Sequence, residues 1–303
     1  MTIRIVTIRI VTTRIVTTRI VTIRILLCQI AFALSALLLT GVALAESTVD
    51  RMYVFECGES KTTDVSNWSP GVNVGQSREF SDNCYLIKHG DSLFLWDSGM
   101  SDAIAAKPEG VSAGGGILTL WVRKPFGSQL QALGIAPGNI THVAFSHSHG
   151  DHVGNANLFT AATLYIQEAE YEAAFGANPA IYGFAPALYE LLKANQTVKL
   201  NGDLDVFGDG SVVILSTPGH TPGHQSLLVR LPKRGVVVLS GDMVHFEENW
   251  IHRRVPTRNF DKEQSLQSME RVAKLLEANH GELWINHDKD QSARIPKAPD
   301  YVE

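Results

Sequence analysis

Cysteine is scarce in this chain, with three residues in 303. That excludes a scaffold stapled by several disulfides and a closed structural zinc site rich in thiolates. Positive charge is scarce as well. Five of the 26 Lys and Arg residues fall within residues 1–45, which hold no acid. The remaining 21 face 31 acidic residues, a net charge of −10. Such a surface does not recruit nucleic acid or other polyanions. What the chain does have is ordinary globular material: 45% of its residues are hydrophobic, enough for one large domain.

The N-terminus is the unusual part. Thr2 to Leu26 run as five tandem five-residue units of the TIRIV type, too short a period for a solenoid. An apolar stretch from Ile25 to Leu44 follows and ends in "ALA" at Ala43–Ala45. Arginines, an apolar segment and an A-x-A site read as a signal peptide cut before Glu46, which sends the protein to the periplasm or outside the cell. The rival is an uncleaved anchor, since about twenty apolar residues span a bilayer. Without the anchor the chain has no membrane partner. Cys28 leaves with the signal; Cys57 and Cys84 either pair in an oxidising compartment or stay free and buried.

Residues 46–303 read as one continuous domain. Strands are predicted at 51–57, 211–217, 224–232, 235–241 and 282–286, a hairpin at 84–99 and a strand at 139–145. Helices are predicted near 128–133 and at 167–176, 186–195 and 261–280. The last carries Leu266, Met269, Val272, Ala273 and Leu276 on one face behind an Asp261 N-cap. The loop 101–127, with three consecutive glycines, reads as a mobile lid or a passive excursion. Strands alternating with helices, and several hairpins, predict an α/β fold in layers with mixed sheets.

The chemistry sits in "SHSHGDH", Ser146 to His152, after the apolar run "ITHVAF". A strand ending in a tight loop aims His147, His149, Asp151 and His152 at one point, and imidazole with carboxylate suits zinc. His220 in "STPGHTPGH", Asp242 in "VVVLSGD" and His287 in "LWINHD" each follow an apolar run in the same way. Five histidines and two aspartates suffice for two metals sharing a carboxylate and holding a bridging hydroxide.

Taken in order, these motifs resemble the metallo-β-lactamase superfamily over nearly all of residues 46–303. The resemblance implies a four-layer αβ/βα sandwich and two zinc ions per chain. It assigns His147, His149 and His220 to the first zinc, Asp151, His152 and His287 to the second, and Asp242 to both. "NCYLIKHGDSLFLWDSGM" and "SGDMVHFEENW" are most similar to the N-acyl homoserine lactonase branch. That implies opening of a small acyl lactone substrate, with Asp151 moving a proton to the leaving alkoxide, and it allows a homodimer. Lactonases of this branch often carry tyrosine three residues after the shared aspartate. His245 stands there, and it can donate the same hydrogen bond or act as acid or base.

Other branches fit less well. Zinc β-lactamases usually have cysteine or serine in the place of Asp242. Glyoxalase II needs a basic C-terminal region, and only sixteen residues follow His287. Flavodiiron proteins need an acid in the place of His149. Phosphotriesters and other esters stay open as substrates, because a fold does not choose among them. A non-catalytic zinc module is the rival from another class, though seven donors leave positions open for water and substrate. Met100, Trp121, Phe126 and Phe184 are candidates to line an acyl pocket, with Trp68 and Tyr182 beside them. His224 reads as structural, His89 as solvated in its turn, His142 as a strand residue, and His252 and His280 as surface.

Overall fold

The computed structural model describes residues 49–303, so the signal-peptide expectation lies outside the described residues. Two sheets form among them. The larger has the order β4-β5-β1-β2-β3-β6-β7-β8, with β14 also on β1; the smaller runs β13-β12-β11-β10-β9. In the larger, β1 is Val49–Thr62, β2 Arg78–His89, β3 Ser92–Trp96, β4 Val111–Ala113, β5 Leu118–Trp121, β6 His142–Ala144, β7 Thr163–Gln167, β8 Thr197–Leu200 and β14 Tyr301–Val302. In the smaller, β9 is Leu204–Asp205, β10 Val212–Ser216, β11 Gln225–Leu231, β12 Gly235–Leu239 and β13 Glu282–Trp284. β3, β6, β7 and β8 pair in parallel, as do β12 and β13, and the other pairs are antiparallel.

Strand periodicity explains the layering. Successive side chains point to opposite faces, so a strand buried on both sides reads as a continuous apolar run. On β2, Tyr85 and Ile87 enter the core between the sheets, while Cys84 and Leu86 face the outer layer. On β12, Val237 and Leu239 point inward and Val236 and Val238 outward. The inner core also holds Phe94, Trp96, Ile214, Leu227, Val229 and Trp284. Helix α1 (Phe126–Ala132) and α2 (Glu168–Phe175) cover the outer face of the larger sheet. On the smaller sheet, α4 (Lys262–Asn279) buries Met269, Val272 and Leu276. Helix, sheet, sheet, helix is the expected four-layer sandwich. Asp261 caps α4 by accepting from Gln264 N at 3.0 Å.

Three expectations need correction. Residues 186–195 do not form an α-helix: two 3₁₀ turns, Pro186–Leu188 and Glu190–Ala194, meet at Tyr189. Tyr189 adopts φ −140°, outside the helical region, and its hydroxyl is drawn inward to Ala174 O at 3.0 Å. Within 101–127, β4 and β5 form a hairpin that pairs with β1, so this part of the segment extends the sheet and is no lid. Gly114, Gly115 and Gly116 make its turn at positive φ, where residues with a Cβ are strained. His89 is not merely solvated: its ring stacks on Phe207 at 3.9 Å and Nε2 lies 2.8 Å from Asp209 Oδ2.

Cys57 and Cys84 form a disulfide between β1 and β2, 27 residues apart. Closing a loop of that length in the unfolded chain contributes about 3–4 kcal/mol. Short helices α3 (Glu247–His252) and α5 (Lys289–Ser292) lie in the segments after β12 and β13.

Candidate metal centre

The donors leave the C-terminal ends of strands from both sheets. The loop after β6 carries His147, His149, Asp151 and His152; the turns after β10, β12 and β13 carry His220, Asp242 and His287. Gln225 N donates to Ser146 O at 2.9 Å and so joins the sheets at this edge. The turn after β12 is tight. Gly241 sits at φ 51°, and a Cβ there would come within 2.5 Å of Ser146 Cβ.

Among the described residues these seven donors fall into two groups, and His245 joins Asp242 and His287 in a third. His147, His149, His220 and Asp242 form the first; Asp151, His152 and His287 form the second. In the first, His147 Nε2 lies 2.7 Å from His149 Nδ1, which is 3.1 Å from His220 Nε2. Asp242 Oδ2 lies 3.3 Å from His220 Nε2 and 3.8 Å from His147 Nε2. The other oxygen, Oδ1, faces the second group, 3.1 Å from His152 Nε2 and 2.9 Å from His287 Nε2. Asp151 Oδ2 is 3.7 Å from His287 Nε2. Donors bound at 2.0–2.2 Å around a tetrahedral ion stand about 3.3–3.6 Å apart, so these spacings fit two ions with Asp242 between them. His152 Nε2 and Asp242 Oδ1 are buried without a hydrogen-bond partner, a deficit that a cation removes.

The second nitrogens of the rings fix their tautomers. His149 Nε2 donates to Tyr182 O at 2.9 Å, which leaves Nδ1 as the donor to an ion. His287 Nδ1 donates to Ser81 O at 2.8 Å, and His152 Nδ1 to Asp97 Oδ2 at 2.9 Å. Asp97 also accepts from Ser146 N at 2.6 Å and from Ser146 Oγ at 3.0 Å, and its own backbone is left-handed at φ 58°. His224 is no ion donor. Its Nδ1 donates to Thr217 O at 3.0 Å and its Nε2 accepts from Asp242 N at 2.9 Å, and burial pushes it down to about 3. It therefore works as a neutral prop for the aspartate.

Burial and neighbouring charges divide the groups. Burial pushes His147, His149 and His220 below the usual imidazole value. Burial acts on His152 and His287 too, but Asp242 and Asp151, joined at His152 by Asp97, overcome it. His152 ends well above the ordinary value and His287 at about 9. Burial resists ionisation of Asp242, yet His287, His245, His152 and His147 hold it well below the carboxylate range.

Two carboxylates that the sequence did not single out support the centre. Asp97 follows the β3 run in "WDSG", the same placement as the donors. Glu170, on α2, accepts from Ser148 N at 2.8 Å, Thr221 Oγ1 at 2.7 Å and Gly223 N at 3.0 Å. It ties the loop bearing His147 and His149 to the loop bearing His220. Its "EAEYEAA" context reads as a solvated helix face, so no sequence signal marked it.

The pocket candidates separate. Phe184 lies against His149, ring centroids 5.4 Å apart, with Tyr182 beside it. Phe126 is a correction: it is fully enclosed, packed on Phe55 at 5.2 Å and Phe159 at 6.2 Å, because α1 turns it into the outer core. Met100 is likewise enclosed, its backbone held by Cys57 O and Asp82 and its side chain close to Gly58. Trp121 sits on β5 opposite Glu59 under Arg123, and Trp68 packs on Phe80. Phe260, missed in the sequence, is half exposed and donates its N–H to His220 O at 3.1 Å.

A family model described as the metallo-beta-lactamase superfamily matches residues 78–278. The chain belongs to the metallo-β-lactamase superfamily. Within the superfamily it is 31% identical to an N-acyl homoserine lactonase of Azorhizobium caulinodans over 265 residues, 84% of this chain and 98% of that protein. An N-acyl homoserine lactonase of a Bacillus species is 30% identical over 261 residues, 84% of this chain and all of that one. Among solved structures, an N-acyl homoserine lactone hydrolase with N-hexanoyl-L-homoserine at its catalytic metal centre superposes with a TM-score of 0.74. It is 27% identical, over 84% of this chain and all of that one.

Proposed function

We propose that this protein is a zinc-dependent lactonase that opens N-acyl homoserine lactones to N-acyl homoserines. The observation that carries the reading is Asp242, set with one oxygen toward each donor group in a chain about 30% identical to lactonases over most of its length. Two zinc ions per chain fit the nitrogen-rich donors. When bound, the pair supplies a hydroxide at neutral pH and polarises the lactone carbonyl.

The chain's own residues do the rest. The lactone approaches from the side of Asp151, whose carboxylate is 33% exposed while the donors around it are buried. Oxygen from water bonds to the carbonyl carbon and the ring C–O bond breaks. The leaving alkoxide takes a proton, and Asp151 stands at the open edge to relay it. His245 Nε2, 3.0 Å from Asp242 Oδ2, is placed to donate to the carbonyl oxygen. Tyr182, half-buried, offers an apolar wall for the acyl chain, with the enclosed Phe184 behind it against His149. Cleavage before Glu46 and action outside the cytoplasm complete the proposal; the Cys57–Cys84 disulfide supports it, because such bonds persist in oxidising compartments.

The test is acid release by zinc-loaded protein 46–303, followed with a pH indicator. Short- and long-chain N-acyl homoserine lactones are compared with a β-lactam and a phosphotriester. Rapid opening of the lactones alone is the expected result. Consumption of the β-lactam or phosphotriester instead would assign the centre to another reaction.

A further inference from the structure

His245 forms a donor group with Asp242 and His287 that lies outside the seven-residue set. Its ring is 2% exposed, so it cannot be a solvated surface histidine. Nε2 stands 3.0 Å from Asp242 Oδ2. That is the spacing found among the seven donors, whose neighbouring atoms lie between 2.7 and 3.8 Å apart. The ring is nearly parallel to that of His287, with centroids 5.5 Å apart and an interplanar angle of 20°. Its Nδ1 is buried without a hydrogen-bond partner, and the same holds for Nδ1 of His220.

The backbone accounts for this placement. A short turn at Gly241–Met243 follows β12, and Val244 returns to extended backbone. His245 thereby comes back over the bridging carboxylate three residues after it, while Val244 and Phe246 on either side are fully enclosed. Phe246 packs against Phe80, which in turn touches the His287 ring, so the segment is anchored on the side of the second donor group.

We infer that His245 is an eighth metal donor, binding through Nε2 an ion held at Asp242 beside His287. The first group already has four donors within reach of one another, enough for a closed tetrahedron. The second reaches four only by sharing Asp242, and His245 stands between the two, within reach of His287 and with Nε2 against the Asp242 oxygen turned to the first group. In the resting centre the ring binds the ion. A ring that binds an ion through Nε2 keeps its proton on Nδ1, so the hydrogen bond from Nε2 to a substrate carbonyl follows only once that nitrogen is released and has taken up a proton. The resting assignment does not depend on which ester or lactone is cleaved, so it stands or falls apart from the lactonase reading.

The test uses the purified protein loaded with cobalt(II), without substrate. Each ring bound through one nitrogen keeps an N–H on the other, which gives a strongly shifted proton resonance that exchanges in heavy water. The wild type is expected to show one such signal for each bound ring, His245 included. H245Q keeps the volume and polarity of the side chain but supplies no imidazole. It is expected to lose one signal and to bind one of the two zincs on the order of 10–100-fold more weakly in chelator competition, with the other retained. H245F serves as the second variant. An unchanged set of shifted signals and unchanged affinity for both ions in a folded variant would overturn the assignment and leave His245 with a hydrogen bond to Asp242. If neither variant folds, selective histidine labelling of the wild type decides: absence of His245 from the shifted set overturns it equally.

Discussion

The rings of His147, His149 and His220 pack against one another, and two of them lean on neutral partners: Ser146 Oγ lies 3.1 Å from His147 Nδ1, and Tyr182 O accepts from His149. The second group is built differently. Asp97 stands behind His152, Asp242 and Asp151 face both rings, and Asp82 lies buried close behind. Without ions the first group therefore holds neutral imidazoles, while His152 and His287 keep protons. Protons held there screen carboxylates that would otherwise repel one another. The two halves of one centre thus prepare for the same ion in opposite ways.

Asp242 is the element common to both halves, so its removal should erase the contrast with the largest effect. Asp242→Ala is expected to lose paired metal binding and to lower turnover by about 10³-fold or more, read by metal analysis and initial rates. Full activity there would disprove a shared carboxylate. Asp97→Asn tests the second half alone. It puts an amide where three donors converge and should weaken the second ion about 10–100-fold while sparing the first. Equal weakening of both ions would mean that Asp97 supports the whole edge. Glu170→Gln is the counterpart for the first half. Whichever way the amide turns, its NH2 meets a backbone donor, Ser148 N–H or Gly223 N–H, so the first ion should weaken about 10-fold and stability fall by about 1–3 kcal/mol in urea unfolding.

The smallest effect concerns Asp82. Burial pushes its carboxyl up to about 7 in the ion-free protein, above its ordinary value of 3.8. The folded state then holds a proton that the unfolded state releases. Stability is lost as pH rises from about 4 to 7, and the loss persists above. Asp82→Asn should flatten that slope by about 1–3 kcal/mol in protein stripped with a chelator. An unchanged slope would show that Asp82 is ionised throughout.

The sequence displayed the donors of both halves alike, and the residues that support them poorly, for one physical reason. Four donors leave one strand end together, and a loop of seven residues is visible without any fold. His220, Asp242 and His287 were legible through their common position after apolar runs, since buried strands deliver their last residues to one rim. Asp97 obeys that rule and was passed over because a lone aspartate before Ser-Gly also reads as a turn. Glu170 acts only through contacts 22 to 53 residues away, to Ser148, Thr221 and Gly223. The main strands and α4 followed from periodicity. β4, β5, β8, β9 and β14 did not, being short or at sheet edges, where little alternation accumulates, and β7 was missed although it is as long as β10 and β12. Residues 186–195 had helical composition, and Tyr189 overrode it.

Asp97 has one more consequence, for the routes by which this centre can change. Its left-handed backbone suits glycine, asparagine and aspartate, and among these only aspartate presents an anion to His152. Randomising position 97 and selecting for folded protein should therefore return a narrow set of residues, and selecting for tight metal binding should narrow it to the parent. Glutamate keeps the charge but strains the backbone; glycine relaxes the backbone and abandons the ring. Drift at this position has no neutral path, whereas the half-exposed Phe260 at the rim is free to vary with whatever enters the site.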